Sequence, residues 1–169
     1  TSRVAQSQQL GGLVESLARR VVDGAAKAVE RLRPLGDQEL AMPARNQQHQ
    51  IGKVQPIGQA RGEIGATETF LRFASEQARR IEGEILPSDA ADEEIHIRRL
   101  PHGVVLGLTA WNYPSALAGR KLGPALVAGN SFVLKAHELT PLSGLALAAL
   151  AERAGIPAGV VNVVTGDGR

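Results

Sequence analysis

From Gly103 onward, strand-length apolar runs alternate with helix-length segments, and glycine or proline stands at nearly every junction. No other feature constrains the fold as much. Val104, Val105, Leu106 and Leu108 predict a buried strand. Pro114 opens a helix that runs to about Ala128, with Gly129 at its end. Ser131 to Lys135 reads as a short buried strand. Thr140 is a candidate N-cap and Pro141 a first-turn proline for a helix through Leu142, Leu145, Ala149 and Leu150 to Gly155. Pro157 and Gly159 turn the chain into a last apolar strand, Val160 to Val164. The order strand, helix, strand, helix, strand predicts a parallel α/β unit with right-handed crossovers. Pro124 falls inside the first of these helices and predicts a bend near Gly123.

The upstream part is expected to be mostly helical. Leu10, Leu13, Val14, Leu17 and Val21 recur at three- and four-residue spacing, Ala25 and Ala28 extend the stripe, and Pro34 and Gly36 stop it. Met42 to Pro56 lacks periodicity and reads as a loop around the polar run Asn46 to Gln50. A second helix is predicted from about Arg61 to Glu84, with Ile64, Thr67, Leu71, Ala74, Ala78 and Ile81 as its stripe and Gly83 and Pro87 at its exit. Asp89 to Glu94 reads as a solvated acidic loop. Ile95, Ile97 and Leu100 alternate with His96 and Arg98 as a half-buried strand would.

Composition narrows the function classes. A net charge of +2, with both signs interspersed, and an aromatic content of 3% give no basic face or stacking platform for nucleic acid. No apolar run reaches the roughly 18 residues of a membrane span. Thr1 to Leu10 is polar and shows no signal-peptide core, so the cytoplasm is the default expectation. The absence of cysteine removes disulfides, thiolate metal sites and a cysteine nucleophile from this chain. His49, His96, His102 and His137 lack metal-ligand spacing. His137-Glu138 does not begin a zinc-protease motif, because Pro141 stands where the second histidine belongs.

Three stretches carry candidate chemistry. The turn Leu108 to Pro114 follows the carboxyl end of a strand, where open α/β sheets bind ligands. Asn112 there offers an amide donor for a developing oxyanion, or else caps the helix that Pro114 begins. Lys135 and Glu138, three apart after the next strand, can face one ribose, or form an exposed ion pair. Gly166-Asp167-Gly168 permits close approach of a cofactor, or is a simple turn.

At these residues the sequence resembles the aldehyde dehydrogenase superfamily, in its amino-terminal portion. The blocks are Pro101 to Val105, Thr109 to Pro114, Arg120 to Leu126 with Ala128 to Asn130, Lys135 to Ser143, and Gly155 to Val164; the match reaches back through Gly62-Glu63 to Arg80 to Glu84. Ala110, and often Ala136, stand where the family has proline, and residues after about 34 and before Gly52 match poorly. The resemblance implies an incomplete Rossmann-like parallel sheet unit, preceded by amino-terminal helices and a strand of the oligomerisation hairpin. It implies a division into 1–60 (helical), 61–102 (helix and oligomerisation strand) and 103–169 (partial NAD-binding domain). It implies oxidation of an aldehyde to an acid with NAD, NADP being possible, in a homo-oligomer, dimer or tetramer. Asn112 matches the oxyanion-stabilising asparagine and Lys121 a lysine of the proton-relay region. Lys135 and Glu138 match the adenosine-ribose ligands, and Gly168 a glycine lining the adenine pocket. The backbone at Leu108, Thr109 and Trp111 borders the cofactor. Glu138 favours NAD over NADP, because a carboxylate repels a 2′-phosphate. The family's nucleophilic cysteine and general-base glutamate lie downstream of Arg169, so the chain is expected to be an inactive fragment. The alternative is a short, non-catalytic nucleotide-binding or oligomer-joining module.

Overall fold

The structure, a computed structural model, describes residues 9–10, 12–16 and 57–167. Residues 9–10 and 12–16 are helical (α1). Then follow α2 (Ile57–Glu76) with a 3-10 turn (Gln77–Arg79), β1 (Glu84–Pro87), β2 (Glu94–Ile97), β3 (Val104–Leu108), α3 (Pro114–Val127), β4 (Ser131–Lys135), α4 (Pro141–Arg153) and β5 (Val161–Val164). The rest of the predicted first helix and the 42–56 loop lie outside the described residues.

Strands β3, β4 and β5 form a parallel sheet in that order, with Val105 opposite Phe132 and Phe132 opposite Val161. The mixed α/β, Rossmann-like reading is correct. Side-chain alternation sorts the sheet into two faces. Val105, Gly107, Phe132, Leu134, Val161 and Val163 point to the core, which they share with α2, α3, α4 and Val14 of α1. The other face carries Val104, Leu106 and Leu108, which are 68%, 61% and 59% exposed. The expectation of a buried β3 therefore needs correction. The helices cover one face only, and no described residue covers the other.

Phe132, wholly buried, explains Gly107: a Cβ there would overlap its ring. Two more glycines let α3 lie against α2. A Cβ on Gly119 would stand 2.7 Å from Thr67 Cγ2, and one on Gly123 would stand 2.8 Å from Ala74 Cβ. The stripe Thr67, Leu71 and Ala74 of α2, with Ala78 in the 3-10 turn that follows, is buried as predicted. The helix begins earlier and ends sooner than expected, however, and Ile81 lies beyond it, partly exposed. Pro124 does not end α3, and the N–H of Ala128 bonds the Pro124 carbonyl at 3.0 Å. Thr140 holds the N-cap position of α4, but its hydroxyl makes no capping bond; it is buried without a partner.

The sequence reading missed β1. Its four residues pair antiparallel with β2, Glu84 opposite Ile97 and Pro87 opposite Glu94. Gly83 permits the approach, since a Cβ would collide with the Ile97 carbonyl. Both strands are exposed along their length, so β2 is not half-buried by any described residue. Among the described residues no helix is long and apolar enough to cross a membrane.

Candidate functional site at the carboxyl ends of the parallel strands

The register sets Leu108 beside Lys135 and Lys135 beside Val164, all at the carboxyl end and on the face away from α3 and α4. Two lysines cross-tie these strand ends. Lys135 Nζ donates to the Gly166 carbonyl at 2.6 Å, just past β5. Lys121, reaching back from α3, donates through Nζ to the Leu108 carbonyl. The Thr109 N–H extends the ladder to the Lys135 carbonyl at 3.3 Å. Gly166 has φ +130° and open space where a side chain would stand, so only the backbone occupies that rim.

Glu138 lies 3.5 Å from Lys135 Nζ through Oε2 and is partly exposed. Its own backbone N–H holds the carboxyl below the ordinary carboxylate range. Desolvation opposes that effect, while His137 and Lys135 add to it. His137 Nδ1 accepts the Leu139 N–H at 3.2 Å. The same ring meets the indole of Trp111 edge-on. Trp111 and His137 thus join the loop after β3 to the loop after β4.

Asn112 is exposed, in the bend before α3. The residue at the N-cap position of α3 is Tyr113, which makes no side-chain cap. The acceptor comes from another helix instead. Glu63 Oε1 on α2 accepts the N–H groups of Ser115 and Ala116 at 2.6 and 3.1 Å. Gly168 lies outside the described residues. The structure therefore brings Leu108, Lys121, Lys135 and Glu138 to one rim, with Thr109, Trp111 and Asn112 in the adjoining loop. Glu63 and His137 were not among the candidates. A polar residue one turn before Thr67 on a buried stripe was the available signal for Glu63. Nothing local announced the His137 contact, which depends on two loops meeting.

The family model for the aldehyde dehydrogenase family matches residues 18–169. The 3,6-anhydro-alpha-L-galactose dehydrogenase of Vibrio sp. (strain EJY3) is 52% identical over 109 residues, covering 64% of this chain and 23% of that protein. The succinate-semialdehyde dehydrogenase [NADP(+)] GabD of Escherichia coli (strain K12) is 40% identical over 162 residues, covering 88% of this chain and 34% of that protein. A solved 3,6-anhydro-L-galactose dehydrogenase in complex with NAP superposes with TM-score 0.75 at 44% identity, over 97% of this chain and 31% of that one. PnpE in complex with nicotinamide adenine dinucleotide gives 0.78 at 34% identity, over 96% and 30%. The chain thus spans about a quarter to a third of the length of these relatives. With the parallel unit, the strand-end rim and these matches together, the chain belongs to the aldehyde dehydrogenase family.

Proposed function

We propose that this chain is the amino-terminal portion of an NAD(P)+-dependent aldehyde dehydrogenase that oxidises an aldehyde to a carboxylic acid. The supporting observation is the convergence of Lys135, Glu138 and the Gly166 backbone at the carboxyl end of a parallel sheet, the place where such sheets take dinucleotides. The donor set suits a ribose diol, with an ammonium donor and a carboxylate acceptor 3.5 Å apart beside an unobstructed glycine. When bound, the nicotinamide cofactor supplies the hydride acceptor.

In this reading Lys135 donates to the adenosine ribose and Glu138 accepts from it. The Glu138 charge favours NAD+ over NADP+, with NADP+ still admitted if the side chain turns away. The backbone of Leu108, Thr109 and Trp111 borders the cofactor, and Gly168 lines the adenine pocket. Asn112 donates to the carbonyl oxygen as it gains negative charge under attack by a thiolate. Lys121, anchored on the Leu108 carbonyl, holds a proton at Nζ behind the cofactor. The thiolate and the general base belong to the downstream part by family likeness; this chain has no cysteine. By itself the chain oxidises no aldehyde. The division at 60 and 102 follows the same likeness. The exposed apolar side chains of Ile85, Ile95 and Ile97 support a hairpin that pairs in a homo-oligomer, dimer or tetramer. Likeness to the semialdehyde dehydrogenases it matches supports a semialdehyde or similar small aldehyde as substrate class, with the cytoplasm as compartment.

Titrating the isotopically labelled chain with NAD+ and NADP+ tests the reading. Amide shifts are expected at Lys135 to Leu139 and at Gly166. Shifts confined to other regions, or none at millimolar cofactor, would overturn it. A turnover assay on the same sample is expected to show no aldehyde oxidation.

A further inference from the structure

We infer that Glu63 is the positioning residue for the Asn112 bend, acting as the N-terminal cap of α3 from a different helix. The inference rests on the reading of Asn112 as oxyanion donor and says what sets that residue's place.

A helix start leaves N–H groups without intrahelical acceptors, and a side chain just before the helix usually supplies one. Here Tyr113 supplies none and Pro114 has no N–H. The first available donors, Ser115 and Ala116, both turn to Glu63 Oε1, at 2.6 and 3.1 Å. Glu63 is only 6% exposed, so its carboxylate is satisfied by these amides and by the positive end of the helix dipole. A second tie runs alongside. The Thr67 hydroxyl donates to the Glu63 carbonyl at 2.8 Å and lies 2.8 Å from Ser115 Oγ, which is then the donor. Gly119 makes the approach possible, because a Cβ there would press on Thr67.

A local cap would fix α3 only to its own loop. A cap carried on α2 fixes the start of α3 against the body of the domain. At the other side of the bend, Lys121 holds the Leu108 carbonyl. Residues 109–113 therefore run between two anchored points, and Asn112 lies three residues before the first of Glu63's donors.

The test has two arms. In the 169-residue chain, Glu63→Ala is expected to speed amide exchange at Ser115 and Ala116 at least about tenfold, and to shift the Asn112 side-chain amide resonances. Exchange in β4 should be unchanged. Glu63→Gln keeps an acceptor oxygen and should restore most of the protection. If Glu63→Ala does not fold, Glu63→Asp, one methylene too short, is expected to show the same pattern. In a full-length dehydrogenase carrying this segment, Glu63→Ala should lower kcat about tenfold or more with the cofactor KM unchanged, and Gln should rescue it. Unchanged exchange at Ser115 and Ala116, an unmoved Asn112 resonance, or unchanged kcat in a working enzyme would each overturn the inference. Exchange and resonance effects as expected, in an enzyme whose unaltered form oxidises no aldehyde, would support the cap and overturn the functional reading instead.

Discussion

The indole of Trp111 meets the imidazole of His137 edge-on, with ring centroids 5.2 Å apart and planes inclined at 63°. The contact ties the loop that carries Asn112 to the loop that carries Lys135 and Glu138. Edge-to-face pairs contribute about 0.5–1.5 kcal/mol beyond area burial, and this pair is partly exposed. A double-mutant cycle with Trp111→Leu and His137→Leu should give a coupling near the lower end of that range in chemical denaturation. A coupling of zero would show that the rings touch without holding the loops together.

The seam between α2 and α3 should tolerate no added side chain at Gly119. A Cβ there meets Thr67 at 2.7 Å, and Thr67 is fully buried and held by two hydrogen bonds. Gly119→Ala gains helix propensity, but overpacking of this kind costs about 1–3 kcal/mol and should dominate. Thermal melting should fall by several degrees. An unchanged or higher Tm would mean that α3 can shift along α2 and that the seam is looser than described.

Much of this arrangement was legible in the sequence. Strand β4 runs from Ser131 to Lys135 as read, because its apolar run is bounded by glycine and asparagine on one side and by a loop on the other. The order of elements from Gly103 on was also readable, since each junction carries a glycine or proline. Strand β1 was hidden because Glu84 to Pro87 contains both a charge and a proline, and its pairing depends on a separate strand, Glu94 to Ile97. The exposure of Val104, Leu106 and Leu108 was not legible either: apolarity reports what a face prefers, and says nothing about whether a cover is at hand. At the site, residue identity pointed to Asn112, Lys135 and Glu138. The Glu63 cap, reached across 52 residues, did not follow from any local pattern.

In the intact enzyme, Asn112→Ala should lower kcat by about 10²–10³-fold while leaving NAD+ affinity within a fewfold. An oxyanion donor acts on charge that develops only after attack, so on the proposed role the loss belongs to the transition state. Tyr113 holds the N-cap position, so the loss of turnover should exceed any loss of thermal stability. A variant that keeps its turnover and loses stability would return Asn112 to a structural role.

Cofactor discrimination tests the central claim, that the rim formed by Lys135 and Glu138 receives the adenosine ribose. Depression of the Glu138 carboxyl means that its charged form persists down through the ordinary carboxylate range and is lost only as pH falls through the depressed value. Any stability it contributes follows the same window, present at neutral pH and lost in acid. Glu138 itself should therefore add no pH dependence to the preference for NAD+ over NADP+ between about pH 6 and 8, and any slope there belongs to the second ionisation of the 2′-phosphate, at ~6. The decisive measurement is the ratio of kcat/KM for NAD+ and NADP+ in the unaltered enzyme and in Glu138→Gln. The account predicts that the ratio falls toward NADP+ by about tenfold in the variant, since removing the charge removes its repulsion of a 2′-phosphate. An unchanged ratio would show that Glu138 does not face the ribose and would contradict the account.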